Sequence, residues 1–166
     1  MERAEPGIMT GTAGGLSGLI LRANRLVQLV AAPSIVQFAL RVALATPFWR
    51  SGVRKWDGFL QLNDTAVFLF ADEFKFHLPG GPYDFPAPAV AAFLAGSAEV
   101  LLPILLVLGL GTRFAAVGLL VMTIVIQLTV PSGWPIHLTW AAMALGIMAC
   151  GPGRLSVDHL IAWRMR

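Results

Sequence analysis

Cysteine occurs once in the 166 residues, at Cys150, and histidine three times, at His77, His137 and His159. A single cysteine excludes an intrachain disulfide, a CxxC redox pair and any multi-cysteine metal or iron–sulfur site within the chain. Cys150 itself reads as a small buried hydrophobe. The histidines are far apart and no HxxxH or HExxH spacing occurs, so no metal site is expected. Charge is scarce as well: Asp, Glu, Lys and Arg make up 13% of the chain against 57% hydrophobic residues, and mean hydropathy is +0.74. That balance excludes an ordinary soluble domain and indicates an integral membrane protein. The net charge is +3, but the basic residues are scattered at the ends of apolar segments and form no block, so no nucleic-acid partner is expected. No glycine-rich phosphate loop opens a helix, because LGLGTR closes an apolar run.

What is present is a succession of apolar segments in a single membrane domain over 1–166. Leu16, Leu19, Ile20, Ala23, Leu26, Val27 and Val30 recur at helical spacing, with Arg22, Asn24, Arg25 and Gln28 opposite. Residues 1–32 therefore read as an amphipathic N-terminal segment, lying in the headgroup plane or packed as a cap on the bundle. Its first fifteen residues lack the order of a cleavable signal, so the N-terminus is expected to be retained. Four spans follow, at about 34–50, 88–110, 114–130 and 135–150, the last short at ~24 Å against a hydrocarbon core of ~30 Å. Between spans one and two lie about forty aromatic-rich residues, in which Thr65 to Phe76 reads as a surface helix and PGGPYDFPAP as irregular. An inside N-terminus puts Arg3, Arg22, Arg25, Arg113, Arg154, Arg164 and Arg166 in the cytoplasm against Arg50, Arg54, Lys55 and Lys75 outside, which favours both termini inside.

The polar residues within the spans are the candidates for function. In AGSAEVLLPILLVLGL, residues 95–110, the charged residue is Glu99, and a charge at the middle of a span costs roughly 2.5–3.5 kcal/mol on insertion scales. Arg41 interrupts span one. By helical rise both sit ~15 Å from the inner boundary, so an Arg41–Glu99 intramembrane ion pair is expected. Two readings of that pair stand: a fixed bridge that sets helix register, or a group that binds a polar headgroup or relays a proton. Farther out, Gln127 and His137 fall at a common level of ~21 Å, beside Trp140 and Trp134. This histidine either anchors its span at the interface or hydrogen-bonds a quinone carbonyl.

In order along the chain, the arginine of FALRVALATPFW, the turn SGVRK, the AE of span two, LGLGTR, the HLTW start of span four and the ending GPGRLSVD resemble the DoxX family of bacterial membrane proteins over about residues 35–161. The resemblance implies an all-α four-helix membrane bundle in the bacterial inner membrane. The family is similar to the small membrane subunit of thiosulfate:quinone oxidoreductase, which implies quinone as the cofactor and a protein partner in a redox complex. Arg41, Lys55, Glu99, Arg113, His137, Arg154, Ser156 and Asp158 are the polar positions carried over. Cofactor contacts are expected at His137, Gln127, Trp140 and Lys55, the last being either an attractor of anions or a snorkelling anchor. Arg113 is expected to cap the inner turn, and Arg154 to pair with Asp158 at i,i+4. Besides lipid and quinone, a second copy of the chain is a conceivable partner. The competing expectations are a non-catalytic anchor for a soluble enzyme and a small-solute or proton pathway.

Overall fold

The computed structural model describes residues 13–165, with side chains from residue 17 onward. Residues 1–12 of the expected amphipathic segment, with Arg3, and the terminal Arg166 lie outside the described residues. The chain divides into two compact units, Met1–Pro33 and Ser34–Arg166. The first contains helix α1, Ala13–Val30, whose apolar residues Leu19, Ile20, Leu26 and Val27 are all exposed.

The second unit is helical. Helix α2 spans Pro33–Val53, with Pro33 at its first position, where a missing N–H costs nothing. A loop region then carries strands β1 (Trp56–Gly58) and β2 (Gln61–Leu62), the short helix α3 (Asp64–Phe68), a π-type turn over Leu69–Glu73, and strands β3 (Lys75–Phe76) and β4 (Tyr83–Asp84). Helices α4 (Pro88–Leu108), α5 (Thr112–Thr129) and α6 (Trp134–Cys150) follow, and α7 (Val157–Arg164) ends the chain. Helices α4 and α5, and α6 extended by the turn at Pro131–Gly133, are long and apolar enough to cross a membrane. That turn brings the last of these to 20 residues, which relieves the shortness expected of the fourth span. Alone, α2 is not among them; a fourth candidate arises only if the helices Ser17–Val30 and Pro33–Val53 count together as one span, so the candidate spans number three to four. The fold is an all-α membrane bundle.

The core lies where α2, α5 and α6 meet the end of α4: Leu44, Phe48, Leu106, Leu119 and Ile147 are buried there, with Phe48 against Trp140 at 5.2 Å between ring centroids. Ala115, Ala116 and Ala144 are buried between α5 and α6. Such small residues let helix backbones approach where lipid gives apolar side chains no reason to associate.

Helices α2 and α4 are displaced along their axes. Gly52, one residue from the end of α2, abuts Glu99, eleven residues into α4; a Cβ added to Gly52 would stand 2.8 Å from the Glu99 backbone carbon. About 16 Å of α4 therefore rises beyond the end of α2. The loop region fills that step. Trp56 lies on Gly96, where an added Cβ would be 3.1 Å from the indole, and its ring meets Phe93 edge-on at 5.4 Å. Asn63 accepts from the Ala66 N–H at 2.7 Å and donates to the Arg54 carbonyl at 2.6 Å, fixing the start of α3. The π-type turn ends at Glu73, so the helix expected to reach Phe76 is cut short. Instead Lys75 and Phe76 pair antiparallel with Asp84 and Tyr83, giving order to part of the PGGPYDFPAP segment. His77 then donates its backbone N–H to Leu128 at the end of α5, at 2.8 Å.

The Gly52 contact is open to direct test. Gly52→Val is expected to destabilise the bundle by about 1–3 kcal/mol through overpacking, read as a lowered unfolding midpoint in detergent. An unchanged midpoint would mean that α2 and α4 do not cross there.

Candidate functional site

The sequence landmarks resolve into two polar clusters at opposite ends of the bundle. At the end bearing the α4–α5 turn, Gly109 (φ 73°) closes α4: its N–H reaches the Leu106 carbonyl at 3.2 Å and the Leu110 N–H reaches Leu105 at 2.9 Å. This is the glycine-terminated cap that satisfies otherwise orphan carbonyls. Arg41, fully buried, donates from Nη1 to the carbonyls of Leu106 (3.3 Å) and Val107 (3.2 Å) and from Nη2 to that of Leu155. A cation at a helix C-terminus also answers the negative end of its dipole. Only glycine fits at 109, since a Cβ there would run into Arg41 Nη1 and Ser156.

The next helix is capped from a distance. The Asp158 carboxylate accepts from the N–H groups of Gly111 (2.8 Å) and Thr112 (2.9 Å) and from the Thr112 hydroxyl (2.8 Å), while its own N–H donates to the Gly109 carbonyl at 2.9 Å. Burial raises the Asp158 pKa, but the Thr112 and Gly111 hydrogen bonds and the Arg41 charge outweigh it and hold the carboxyl below its ordinary value. Arg154 precedes α7, so it and Asp158 do not form the expected helical pair. Arg113 is exposed, its guanidinium beside Gly151. Cys150, expected to be buried, is exposed at the end of α6.

At the other end, Glu99 is 5% exposed and forms a salt bridge with Lys55, which also donates to Ser51 Oγ at 2.9 Å. The expected Arg41–Glu99 pair is thus not formed. Its premise was that α2 and α4 enter the membrane level with each other; the axial displacement instead puts Arg41 against the last turn of α4 and brings Ser51 and Lys55 to Glu99. Lys55, four residues after Ser51, is a partner rather than a snorkelling anchor, and the i,i+4 spacing within SGVRK was the signal for it.

Glu99 and Ser51 stand on the wall of a cavity of about 390 Å³. Its other walls are apolar or aromatic, with Phe48 and Trp140 from the bundle and Phe70, Phe74 and Phe85 from the loop region. The three loop phenylalanines form one cluster, Phe70 lying 5.3 Å from Phe74 and 5.1 Å from Phe85. The loop's aromatic content is plain in the sequence, but no local pattern there assigns these three rings to a site. Leu94 and Val121 on the rim are exposed, so the cavity is reached from the lipid-facing side of α4 and α5. Thr129 lines it too, but its hydroxyl donates to Ile126 at 3.0 Å.

The structure brings His137 and Gln127 together, with His137 Nδ1 2.8 Å from Gln127 Oε1 and the Gln127 amide donating to Pro131 at 3.1 Å. Trp140 is 5.2 Å from the His137 ring. The pair lines a separate shallow groove with Thr123, Ile124, Trp134 and Leu138. Trp140 lines the Glu99 cavity, whereas His137 and Gln127 do not. Among the described residues, no cluster of three His, Cys, Asp or Glu side chains could hold a metal ion.

The DoxX family model matches residues 36–132, more than half of the chain and inclusive of Arg41, Lys55 and Glu99. The chain belongs to the DoxX family. It is similar to an uncharacterized protein of Haemophilus influenzae, 27% identical over 134 residues that cover 74% of this chain and 80% of that one. No solved structure matches. This DoxX protein therefore extends its family's matched region with the His137 helix and the Asp158 cap, both beyond residue 132.

Double-mutant cycles separate the pairings. Lys55→Met and Glu99→Gln are expected to couple by at least ~1 kcal/mol, and Arg41→Met and Glu99→Gln to add within ~0.5 kcal/mol; coupling only in the second cycle would restore the Arg41–Glu99 bridge. Asp158 gives a pH signature. Because its folded pKa lies below its unfolded value, its stabilisation is complete above the unfolded pKa of ~3.9 and is lost as pH falls through the folded pKa. Asp158→Ala is expected to cost ~1–2 kcal/mol at pH 7, with the gap to the wild type narrowing as pH falls from the unfolded pKa through the folded one. A gap that stays constant as the carboxyl protonates would remove the charge from the account.

Proposed function

We propose that this DoxX protein is a membrane subunit that holds a quinone-type ring in the Glu99 cavity and thereby supports quinone-linked electron transfer in the bacterial inner membrane, both termini facing the cytoplasm. The observation that carries the reading is the cavity: apolar, aromatic-walled, reached from lipid, and polar at Ser51 and the buried Glu99. Ligand pockets are typically of this make, mostly apolar with a few placed polar groups.

A quinone would supply the two-electron carrier for which this chain's residues offer no substitute. The chain's part is to bind and orient. Phe48, Phe74 and Trp140 present faces and edges for a flat ring. The Ser51 hydroxyl, whose oxygen accepts from Lys55, is left to donate its own proton to a ring oxygen. Lys55 holds the Glu99 carboxylate in place. The electron donor belongs to a partner protein. His137 and Gln127, the headgroup contacts expected from sequence, satisfy each other in their own groove and are the weaker candidates. A proton or small-solute pathway has less support, because beyond Glu99 and Ser51 the wall's polar side-chain groups are the Thr129 hydroxyl, which is engaged, and the indole N–H of Trp140.

Binding of 1,4-naphthoquinone to the protein in lipid nanodiscs tests this. Ala98→Phe, which fills the cavity from α4, is expected to weaken binding at least tenfold with the unfolding midpoint retained, and His137→Ala to leave it within about twofold. Loss with His137→Ala alone would move the site to the groove, and no binding to the wild type would overturn the reading.

A further inference from the structure

We propose that the Glu99 cavity selects the hydroxylated form of its ring ligand, so that a phenol or hydroquinone binds more tightly than the corresponding quinone. The inference rests on the reading that the cavity takes a quinone-type ring, and it turns on which hydrogen-bonding groups the wall leaves unused. Glu99 Oε2 is taken by Lys55, whereas Oε1 makes no hydrogen bond among the described residues. A carboxylate oxygen can only accept, and one that faces an apolar cavity is paired only if a ligand or water supplies the donor. The wall thus carries one strong acceptor, the Glu99 carboxylate, and two donors, the Ser51 hydroxyl and the Trp140 indole N–H; Ser51 is the one held beside Glu99, since both bond the Lys55 ammonium. Lys55 is not on the wall, and its ammonium is directed to Ser51 and Glu99.

A ring hydroxyl matches both groups at once. It donates to Glu99 Oε1 in a charge-assisted bond and accepts from Ser51 through its oxygen. A quinone carbonyl accepts from Ser51 but sets one acceptor against another at Glu99, leaving the carboxylate oxygen facing a lone pair. A site built to hydrogen-bond a hydroxyl rejects the analogue lacking the proton because its own buried group is then unpaired.

The test compares 1-naphthol with 1,4-naphthoquinone, both added to the full-length protein in nanodiscs at pH 7 and corrected for partition into protein-free nanodiscs. Naphthol is expected to bind at least about tenfold more tightly. Glu99→Gln, whose amide can donate to a carbonyl, is expected to abolish or reverse that preference while retaining naphthoquinone binding. Because Glu99→Gln alone leaves Lys55 without its counter-ion, the Lys55→Gln, Glu99→Gln double variant serves as the second reading of the same preference. Ser51→Ala is expected to weaken both ligands alike. Equal binding of the two ligands, tighter binding of naphthoquinone, or a preference unchanged by Glu99→Gln would overturn the inference and leave the cavity as a quinone site. Failure of both ligands to bind the wild type would overturn the cavity reading itself.

Discussion

The contact of α2 with α4 at Gly52, against the backbone of Glu99, sets the levels of Arg41, Lys55 and Glu99. Once these two residues touch, α4 must stand about 16 Å proud of α2 at one end, and Arg41 must fall beside the last turn of α4 at the other. The step needs filling, and the loop between α2 and α4 does so with Trp56 on Gly96 and a cluster of phenylalanines. The same step holds the cavity, with Phe70, Phe74 and Phe85 of the loop and Glu99 of α4 on its walls.

Two ways of offsetting the cost of buried charge then appear in one chain. Arg41 is neutralised by no single carboxylate; it spreads its protons over backbone carbonyls at a helix end and lies near Asp158, which caps the next helix. Those bonds tie the third turn of α2 and the segment before α7 to the last turn of α4 and the α4–α5 turn, a structural use of charge. Glu99 instead meets one cation and keeps an oxygen unspent on the wall of a cavity. Buried ion pairs are poor stabilisers in general, and their retention asks for a further role. Within the region matched to the family, SGVRK and AE converge on this second cluster and LGLGTR on the first, where GPGRLSVD, beyond residue 132, joins it.

The spans were legible because their apolar runs are punctuated by Pro33, Pro88, Gly109 and Pro135, and hydropathy with such breaks is nearly sufficient to place a membrane helix. That Glu99 needs a partner was equally legible, from the cost of the charge alone. Its partner was not, because residue counting from span ends supplies a depth only if the helices start level, and no local pattern encodes an axial shift of about three turns. The shift is enforced by packing, at Gly52 and Gly96, between residues forty or more positions apart. Asp158 escaped for a related reason. A cap is normally sought within a few residues of the helix it serves, and this one arrives from 46 residues away. The short strands of the loop lie below the length at which alternation is recognisable.

The pairing of Glu99 is the statement on which the rest stands, and a distance between isotopes measures it most directly. The chain has two lysines, Lys55 and Lys75, so Lys75→Arg leaves Lys55 as a unique 15N-ammonium label. Solid-state dipolar recoupling between that nitrogen and 13C-carboxyl glutamate in lipid is predicted to show one contact within ~4 Å, abolished by Glu99→Gln. A contact from the Arg41 guanidinium to the Glu99 carboxyl, with none from Lys55, would contradict the account.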